Sequence, residues 1–199
     1  MLADESTVIS EEERRSSIQN IIRVVYRMDH ILEELMLLFG LRRIELRMEP
    51  LDMAATVAAV LTRLRPSLQE AVAEVILPIS WPVALGYPAW VEEVWMNYIS
   101  NALKYGGHPP RMELGATIEG ERVRFWIQDN GPGLMAEEQS RLFQPFERLG
   151  TQRATGHGLG LSIVRRIVEK MGGEVGVECS GIPGDGCVFS FTLPLAPAA

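Results

Sequence analysis

The stretch Arg122–Gly133 reads RVRFWIQDNGPG, an alternating pattern followed by a turn-like motif. Its alternation places Val123, Phe125 and Ile127 on one face of a β-strand, and Asp129 continues the same parity. A carboxylate therefore stands where the alternation requires a buried residue. Because buried charge is costly without a partner, we expect Asp129 to meet a hydrogen-bond donor, and a ligand amine is one candidate. The alternative is a turn-initiating aspartate, since DNGPG is strong turn chemistry.

The segments on either side of this strand mix predicted strands and helices. Asp52 is placed to cap a helix that runs through AATVAAVLTRL towards Pro66, and a second helix is predicted over Pro88–Tyr105. Further strands are predicted in EVILPIS (74–80), WPVALG (81–86) and RMELGATI (111–118). A helix over Gly158–Met171 and a closing hairpin of EVGVEC (174–179) and CVFSFTL (187–193) follow. This order predicts an α+β fold, a two-layer α/β sandwich whose mixed sheet packs on helices.

Composition limits the classes of function. A chain of 199 residues with 47% hydrophobic content supports one buried domain and an accessory element. The formal net charge is -7 and the basic residues are scattered, which argues against nucleic-acid binding. The apolar runs are shorter than a membrane span and the N-terminus is acidic, so we expect a cytoplasmic location without membrane contact by this chain. Cys179 and Cys187 are accordingly expected to be two reduced strand residues and not a disulfide.

The first 49 residues carry a different pattern. Apolar residues recur there at alternating spacings of three and four, at Ile18, Ile21, Val25, Met28, Leu32, Leu35 and Phe39. This is a heptad seam, and it requires a partner helix that the flanking segments do not offer. We therefore predict a long coiled-coil helix that forms a homodimer with a second copy of the chain. A domain boundary near Pro50 is expected to separate residues 1–49 from residues 50–199.

The helix predicted over Pro88–Tyr105 has a narrow polar stripe. At about 100° per residue, its Glu93, Asn97, Asn101 and Lys104 fall on one side. Asparagine is a poor helix former, but its amide oxygen is a suitable ligand for Mg²⁺, which proteins commonly share with substrate phosphates. A solvated helix face explains the stripe equally well when the stripe is taken alone.

A glycine run precedes the last predicted helix and consists of Gly156, His157, Gly158, Leu159 and Gly160. Glycines at a helix start let backbone N–H groups approach phosphate oxygens, and the helix dipole favours the negative charge. The run does not end in Gly-Lys-Ser/Thr as a P-loop does, and it follows the polar segment TQRAT (151–155) where a dinucleotide fold requires a strand. Alone, it is weak evidence for phosphate binding.

Four elements stand in a specific order: the stripe of Glu93, Asn97 and Asn101, then DNGPG, LFQPFERL (142–149) and GHGLGLSIVRRIVEKMGGEV (156–175). Together they resemble the catalytic ATP-binding domain of sensor histidine kinases, within the ATPase superfamily that includes gyrase, Hsp90 and the MutL proteins. The resemblance covers the chain from about residue 50 to its end. It implies a Bergerat-type ATP-binding fold with ATP and Mg²⁺ as cofactors.

The resemblance also implies a role for each matching residue. Asn97 would be the Mg²⁺ ligand, while Asn101, Lys104 and Tyr105 would contact the phosphates and the nucleotide. Asp129 would accept a hydrogen bond from the adenine amino group. The other nucleotide-binding positions would be Gly131 and Gly133 at the adenine wall, Phe143 and Phe146 in the phenylalanine box, and Gly156, His157, Gly158, Leu159 and Gly160 around the phosphates.

In the family, the γ-phosphoryl group of ATP moves to a histidine on a dimeric helical hairpin and then to an aspartate of a response regulator. Beside Asn97 and Lys104, the resemblance implies catalytic roles for Glu93, which would polarise the acceptor imidazole, and for Arg148, which would approach the terminal phosphate. A mobile lid is expected between Leu134 and Thr155.

The segment RMDHILEELMLLFGLRRIELRMEPLDM (27–53) looks like the second helix of that hairpin. The phosphoacceptor stretch of the first helix has no counterpart in this sequence, and His30 is expected to be a solvated helix-surface residue. One alternative function is a nucleotide-independent dimerisation or adaptor module that retained the fold. Another is a serine kinase of the same superfamily, although that class gives no reason for the N-terminal heptad helix.

Overall fold

A mixed β-sheet forms one layer of the molecule. In the computed structural model, residues 47–144, 160–180, 182 and 184–197 are described. The strands in these ranges are β1 (Glu49–Pro50), β2 (Glu74–Ile76), β3 (Leu85–Gly86), β4 (Arg111–Glu119), β5 (Arg122–Asp129), β6 (Val175–Cys179) and β7 (Cys187–Pro194). Five of them form a sheet in the order β2-β4-β5-β7-β6, while β1 and β3 pair separately. Strand β2 is parallel to β4, and the other neighbours in the large sheet are antiparallel.

Helices form the second layer. The described helices are α1 (Met53–Glu70), α2 (Pro88–Tyr105), α3 (Ala136–Arg141) and α4 (Gly160–Lys170). The buried residues of α1, α2 and α4 join the inward-facing residues of the sheet in a single core. Asp52 caps α1, since its Oδ1 accepts a hydrogen bond from the Ala55 N–H at 2.9 Å. Among the described helices, none is long and apolar enough to cross a membrane.

An aromatic cluster joins α2 to the sheet. Phe191 of β7 lies at its centre, with ring centroids 5.3 Å from Trp95, 5.3 Å from Phe125 and 6.1 Å from Tyr98. All four side chains are buried. The Tyr98 hydroxyl donates to the Ser190 carbonyl oxygen at 3.0 Å, and burial raises the pKa of this phenol, which therefore remains a hydrogen-bond donor. Packing and one directed hydrogen bond together fix the rotation of α2 about its own axis.

The predicted fold class is confirmed, and α2 has the predicted bounds. Helix α1 differs, because it continues through Pro66 to Glu70. Leu64 and Leu68 pack against the core on both sides of this proline, and tertiary packing thereby outweighs the local cost of proline in a helix. Strands β2 and β3 are shorter than predicted. Helix α3 lies within the segment expected to form a lid, and the Glu138 carboxylate accepts from the Met135 N–H at its start.

The expectation that Cys179 and Cys187 are reduced is wrong. They form a disulfide, and their Cα atoms lie 4.4 Å apart. The cause is the strand register, in which Cys179 pairs directly with Cys187 across β6 and β7. Such close pairs in an antiparallel ladder are within the distance that a disulfide spans. The coiled-coil helix predicted within residues 1–49 lies outside the described residues apart from 47–49, and the boundary near Pro50 stays a prediction.

Truncation of Phe191 is expected to destabilise the fold strongly. Phe191→Ala removes the ring that Trp95, Tyr98 and Phe125 share, and it leaves a cavity between the two layers. We expect the free energy of unfolding to fall by about 3–5 kcal/mol, measured by urea denaturation. Ile118→Ala, at a half-exposed position of β4, is the control and should cost about 1 kcal/mol or less. Equal losses in the two variants would contradict a central role for Phe191.

Candidate functional site

Helix α2 presents a polar edge beside its buried face. Glu93, Asn97 and Asn101 are half-buried along this edge, and Lys104 at its end is exposed. The Asn97 Nδ2 donates to the Glu93 carbonyl oxygen, one helical turn earlier, at 3.2 Å. The amide nitrogen of Asn97 is therefore engaged by its own helix, and the amide oxygen is the atom that remains for other contacts.

Gly160 begins α4 directly against this amide oxygen. A Cβ atom built at Gly160 would overlap Oδ1 of Asn97, so the close approach of the two helices depends on glycine. Helix α4 has 11 residues, and the N–H groups of its first turn and the positive end of its dipole lie at this place. An oxygen ligand beside a helix N-terminus is an arrangement that suits a metal-bound phosphate.

The carboxylate of Asp129 ends β5 on the inward face of the sheet, as its parity predicts. It is half-buried, and its Oδ1 accepts from the Gly131 N–H at 2.8 Å and, more distantly, from the Cys187 N–H at 3.4 Å. Burial raises the pKa of Asp129, and these two backbone hydrogen bonds oppose that shift in part. Among the described residues, no hydrogen bond reaches Oδ2. The carboxylate thus has one oxygen held by backbone and one that can accept from a ligand.

Glycines allow three backbone segments to meet around this carboxylate. A Cβ atom at Gly131 would lie 2.6 Å from the Tyr105 carbonyl oxygen and 2.9 Å from Asp129 Oδ1. A Cβ atom at Gly186 would overlap the backbone of Asp129, and the Gly186 N–H donates to the Gly131 carbonyl oxygen at 3.0 Å. The end of α2, the turn after β5 and the start of β7 therefore converge at Asp129.

Asn130 is a structural residue of the site that the sequence analysis missed. Its Oδ1 accepts from the N–H groups of Gly107 and Arg111, both at 2.9 Å, and its Nδ2 donates to the Pro109 carbonyl oxygen at 3.1 Å. One side chain thereby fastens the loop between α2 and β4 to the turn that carries Asp129. The Asp-Asn-Gly sequence is the available signal for this role of Asn130, but the same sequence is also typical of a simple turn.

The structure brings only some of the predicted site residues together. Asn97 meets Gly160, and Asp129 meets Gly131 beside Tyr105, whose side chain is exposed. Gly133 follows in the same turn with a φ of +78°, and Phe143 is half-buried after α3. Outside the described residues lie Phe146, Arg148, Gly156, His157, Gly158 and Leu159.

The described donors at this site include an amide oxygen, which is a type of ligand that Mg²⁺ accepts. No cluster of three histidine, cysteine, aspartate or glutamate side chains suited to a metal occurs in the described part of the chain. The Asn97 amide oxygen is a hard oxygen ligand, and Mg²⁺ is commonly held by one or two protein ligands together with waters and phosphates. Asn97 is therefore the residue here that would hold the ion.

Sequence comparison covers the part of the chain that holds this site. The family model "Histidine kinase-, DNA gyrase B-, and HSP90-like ATPase" matches residues 86–197. The chain is also similar to the adaptive-response sensory kinase SasA of Parasynechococcus marenigrum (strain WH8102), with 40% identity over 124 residues. That alignment covers 60% of this chain and 31% of SasA. The chain thus spans about a third of the length of this curated relative.

Two solved structures are similar over nearly the whole chain. Full-length ShkA in complex with AMPPNP has 30% identity and a TM-score of 0.72, with 98% of this chain and 41% of ShkA covered. The histidine kinase ThkA in complex with the response regulator protein TrrA has 20% identity and a TM-score of 0.72, with 98% of this chain and 54% of that chain covered. The second likeness shows the shared fold alone.

Removal of the Asn130 side chain is expected to loosen the loop between α2 and β4. Asn130→Ala leaves the N–H groups of Gly107 and Arg111 without their acceptor, so we expect a loss of about 1–3 kcal/mol in the free energy of unfolding. Hydrogen exchange of these two amides should also accelerate. Asn130→Asp is the matched control, because it keeps an acceptor oxygen for both N–H groups and loses the hydrogen bond that Nδ2 donates to Pro109. Equal amide protection in the alanine variant would refute this role.

Replacement of Asp129 by asparagine is expected to stabilise the ligand-free chain near neutral pH. Because burial raises the pKa of Asp129, the folded state binds this proton more tightly than the unfolded state. The stability that this proton contributes is present at low pH and is lost as pH rises through the raised pKa. Asparagine keeps an oxygen for the Gly131 N–H and carries no charge. Urea denaturation at a series of pH values should give Asp129→Asn a higher free energy of unfolding than the parent at about pH 7. This difference should shrink towards about pH 4.

The control for that pH series is Glu113→Gln, an exposed carboxylate on the opposite face of the neighbouring strand β4. It should not reproduce the gain of Asp129→Asn. If the stability difference for Asp129→Asn were the same at every pH, the buried charge would not be its cause.

Proposed function

The chain belongs to the histidine kinase-, DNA gyrase B- and HSP90-like ATPase family, and on this basis we propose that its site binds ATP with Mg²⁺ for phosphoryl transfer to a histidine. The proposed catalytic domain covers residues 50–199. The observation that carries the proposal is the Asp129 carboxylate, which is half-buried and has one oxygen held by backbone N–H groups. Its other oxygen accepts no hydrogen bond from a described residue, and the exocyclic amine of adenine is a donor that could bind there.

The length of α2 supports a site for an extended nucleotide. From Asn97 to Tyr105 the helix rises by about 12 Å. Gly131, beside the Asp129 carboxylate, contacts the Tyr105 end, and Gly160 at the start of α4 contacts the Asn97 end. A base bound at Asp129 would therefore direct its phosphates along the polar edge of α2 towards Asn97 and α4. The positive end of the α4 dipole favours phosphate there.

The protein groups have separate proposed roles in phosphoryl transfer. Mg²⁺, when bound, would neutralise phosphate charge, and Asn97 would hold it through its amide oxygen. Asn101 and the exposed Lys104 lie further along the same edge and would contact the phosphates. Glu93 lies one turn before Asn97 and would polarise the acceptor imidazole. Positioning and charge neutralisation are the main demands of this reaction, and a polar edge beside a helix N-terminus meets both.

The remaining nucleotide contacts are proposed from the family alone. Phe143 and Phe146 would belong to the phenylalanine box, and Arg148 would approach the terminal phosphate. Backbone groups of the run from Gly156 to Gly160 would surround the phosphates. Only Phe143 and Gly160 of this group are among the described residues.

The proposed partners are a second copy of the chain and a response regulator in the cytoplasm. The heptad seam of the first 49 residues supports the homodimer. The family's phosphorelay supports the response regulator, and ThkA, a protein of the same fold, forms a complex with such a protein. The relative SasA is named a sensory kinase and the neighbour ThkA a histidine kinase, so the nucleotide-independent adaptor and the serine kinase are not favoured.

Calorimetric titration with ATP, with and without Mg²⁺, tests the proposed site. Asp129→Asn removes a charged acceptor, and we expect at least about a tenfold loss of affinity for ATP. Asn97→Ala should remove the Mg²⁺ dependence, so that its affinity for ATP is the same with and without the ion. Glu113→Gln is the control and should bind as the parent does, since Glu113 lies on the opposite face of the sheet. No binding heat with any nucleotide would reject the nucleotide site.

Phosphotransfer is tested with a supplied histidine-containing helical hairpin as acceptor. A phosphorylated hairpin whose label is released in acid supports transfer to histidine, whereas an acid-stable product would support the serine kinase alternative. Nucleotide binding without any transfer would restrict the proposal to binding.

A further inference from the structure

The Cys179–Cys187 disulfide lies on the same face of the sheet as the Asp129 carboxylate. In the register of β6 and β7, the pair Cys179–Cys187 follows the pair Val177–Phe189 by two residues, so both pairs point to the helical layer. Cys187 is buried, with 4% of its surface exposed. It is also the first residue of β7, next to the segment that contacts Asp129.

Three contacts connect Gly186 and Cys187, at the start of β7, to Asp129 and the turn that follows it. The Cys187 N–H reaches Oδ1 of Asp129 at 3.4 Å, and the neighbouring Gly186 N–H donates to the Gly131 carbonyl oxygen at 3.0 Å. Gly186 also packs so closely on the Asp129 backbone that a Cβ atom there would overlap it. The position of Asp129 is therefore determined partly by the start of β7.

The disulfide is the covalent restraint on the start of β7. Among the described strands, β6 lies at the edge of the sheet and pairs with β7 alone, and the ladder ends at the two cysteines. Beyond them the chain turns through Gly184 and Gly186, both with positive φ. The ends of edge ladders open at a low free-energy cost, and a covalent bond across the last pair reduces that opening.

We propose that the Cys179–Cys187 disulfide is a positioning element for Asp129, and that its reduction lowers the affinity of the site for nucleotides with an exocyclic amine. This inference rests on the proposed nucleotide site. The two thiols that replace the bond no longer hold the end of the β6–β7 ladder, so the Cys187 and Gly186 contacts to the Asp129 turn weaken. A disulfide in a reducing compartment is usually transient or redox-sensing, and the proposed cytoplasmic location makes this one a sensor of that kind.

The chemistry requires a dithiol reductant. One thiolate of the dithiol attacks a cysteine sulfur, the S–S bond breaks, and a mixed disulfide forms. The second thiolate of the dithiol then attacks the dithiol sulfur of the mixed disulfide and releases the cysteine bound to it, so the dithiol leaves as a cyclic disulfide. Two electrons and two protons in total convert the bond into two thiols. Cys179 is half-buried and lines an open depression of about 600 Å³ with Ser180 and Gln139, through which a reductant can reach it.

The test measures binding of two nucleotides to the oxidised and the reduced chain, with free-thiol titration to establish each state. ATP carries the exocyclic amine, and purine riboside triphosphate is the same molecule without it. We expect reduction to weaken ATP binding by about three- to tenfold and to leave binding of the purine analogue unchanged. A general loosening of the site would weaken both nucleotides equally and would overturn the positioning role. Equal ATP affinity in the two states would overturn it as well.

Two variants complete the design. The double variant Cys179→Ser/Cys187→Ser should bind ATP as the reduced parent does and should not respond to the dithiol, with thermal unfolding used to establish that it is folded. Asp129→Ala should lose its response to reduction, since it has no acceptor oxygen for the disulfide to position. A persistent response in either variant contradicts the proposal.

Hydrogen exchange of the oxidised and reduced chain gives a measurement without nucleotide. We expect faster exchange of the Gly131, Gly186 and Cys187 amides after reduction. If the oxidised chain binds no nucleotide, the proposed function fails and this inference fails with it. If it binds ATP while neither affinity nor exchange responds to reduction, only the disulfide inference fails.

Discussion

The packing of Phe191 against Trp95, Tyr98 and Phe125 is the constraint on which the site depends. These rings fix α2 on the sheet, and the hydrogen bond from Tyr98 to the Ser190 carbonyl oxygen fixes its rotation. Because a helix turns by about 100° per residue, a small error in that rotation would carry the polar edge away from Gly160 and from the Asp129 turn. The apolar side of α2 therefore determines what its polar side can bind.

The site also requires backbone segments to approach one another and neighbouring side chains closely, and glycine permits this at three positions. At Gly160 it admits the Asn97 amide oxygen, at Gly131 it admits the Tyr105 carbonyl oxygen, and at Gly186 it admits the Asp129 backbone. None of these glycines contributes a side chain. They bring side-chain and backbone oxygens and N–H groups from separate elements to one place.

The sequence was sufficient for features that depend on local pattern. The parity of β5 located Asp129 on the inward face, and the period of α2 separated its core residues from its polar edge. The sequence was insufficient for features that depend on contacts between residues far apart in the chain. The disulfide depends on the register of β6 against β7, which composition and compartment arguments do not contain. Asn130 was missed because its three partners lie about twenty residues earlier, and α1 extends past Pro66 because Leu68 packs on the core.

The unfilled hydrogen-bonding capacity of the Asp129 carboxylate also has an evolutionary consequence. Under the proposed function, a half-buried carboxylate with one oxygen that accepts no hydrogen bond from a described residue is a cost that the ligand-free fold bears for ligand binding. Selection for binding must maintain it against neutral drift, because uncharged side chains at this position relieve the cost. Lineages released from that selection would therefore drift towards more stable domains that do not bind the proposed nucleotide, and replacement of this carboxylate would be an early sign of that loss.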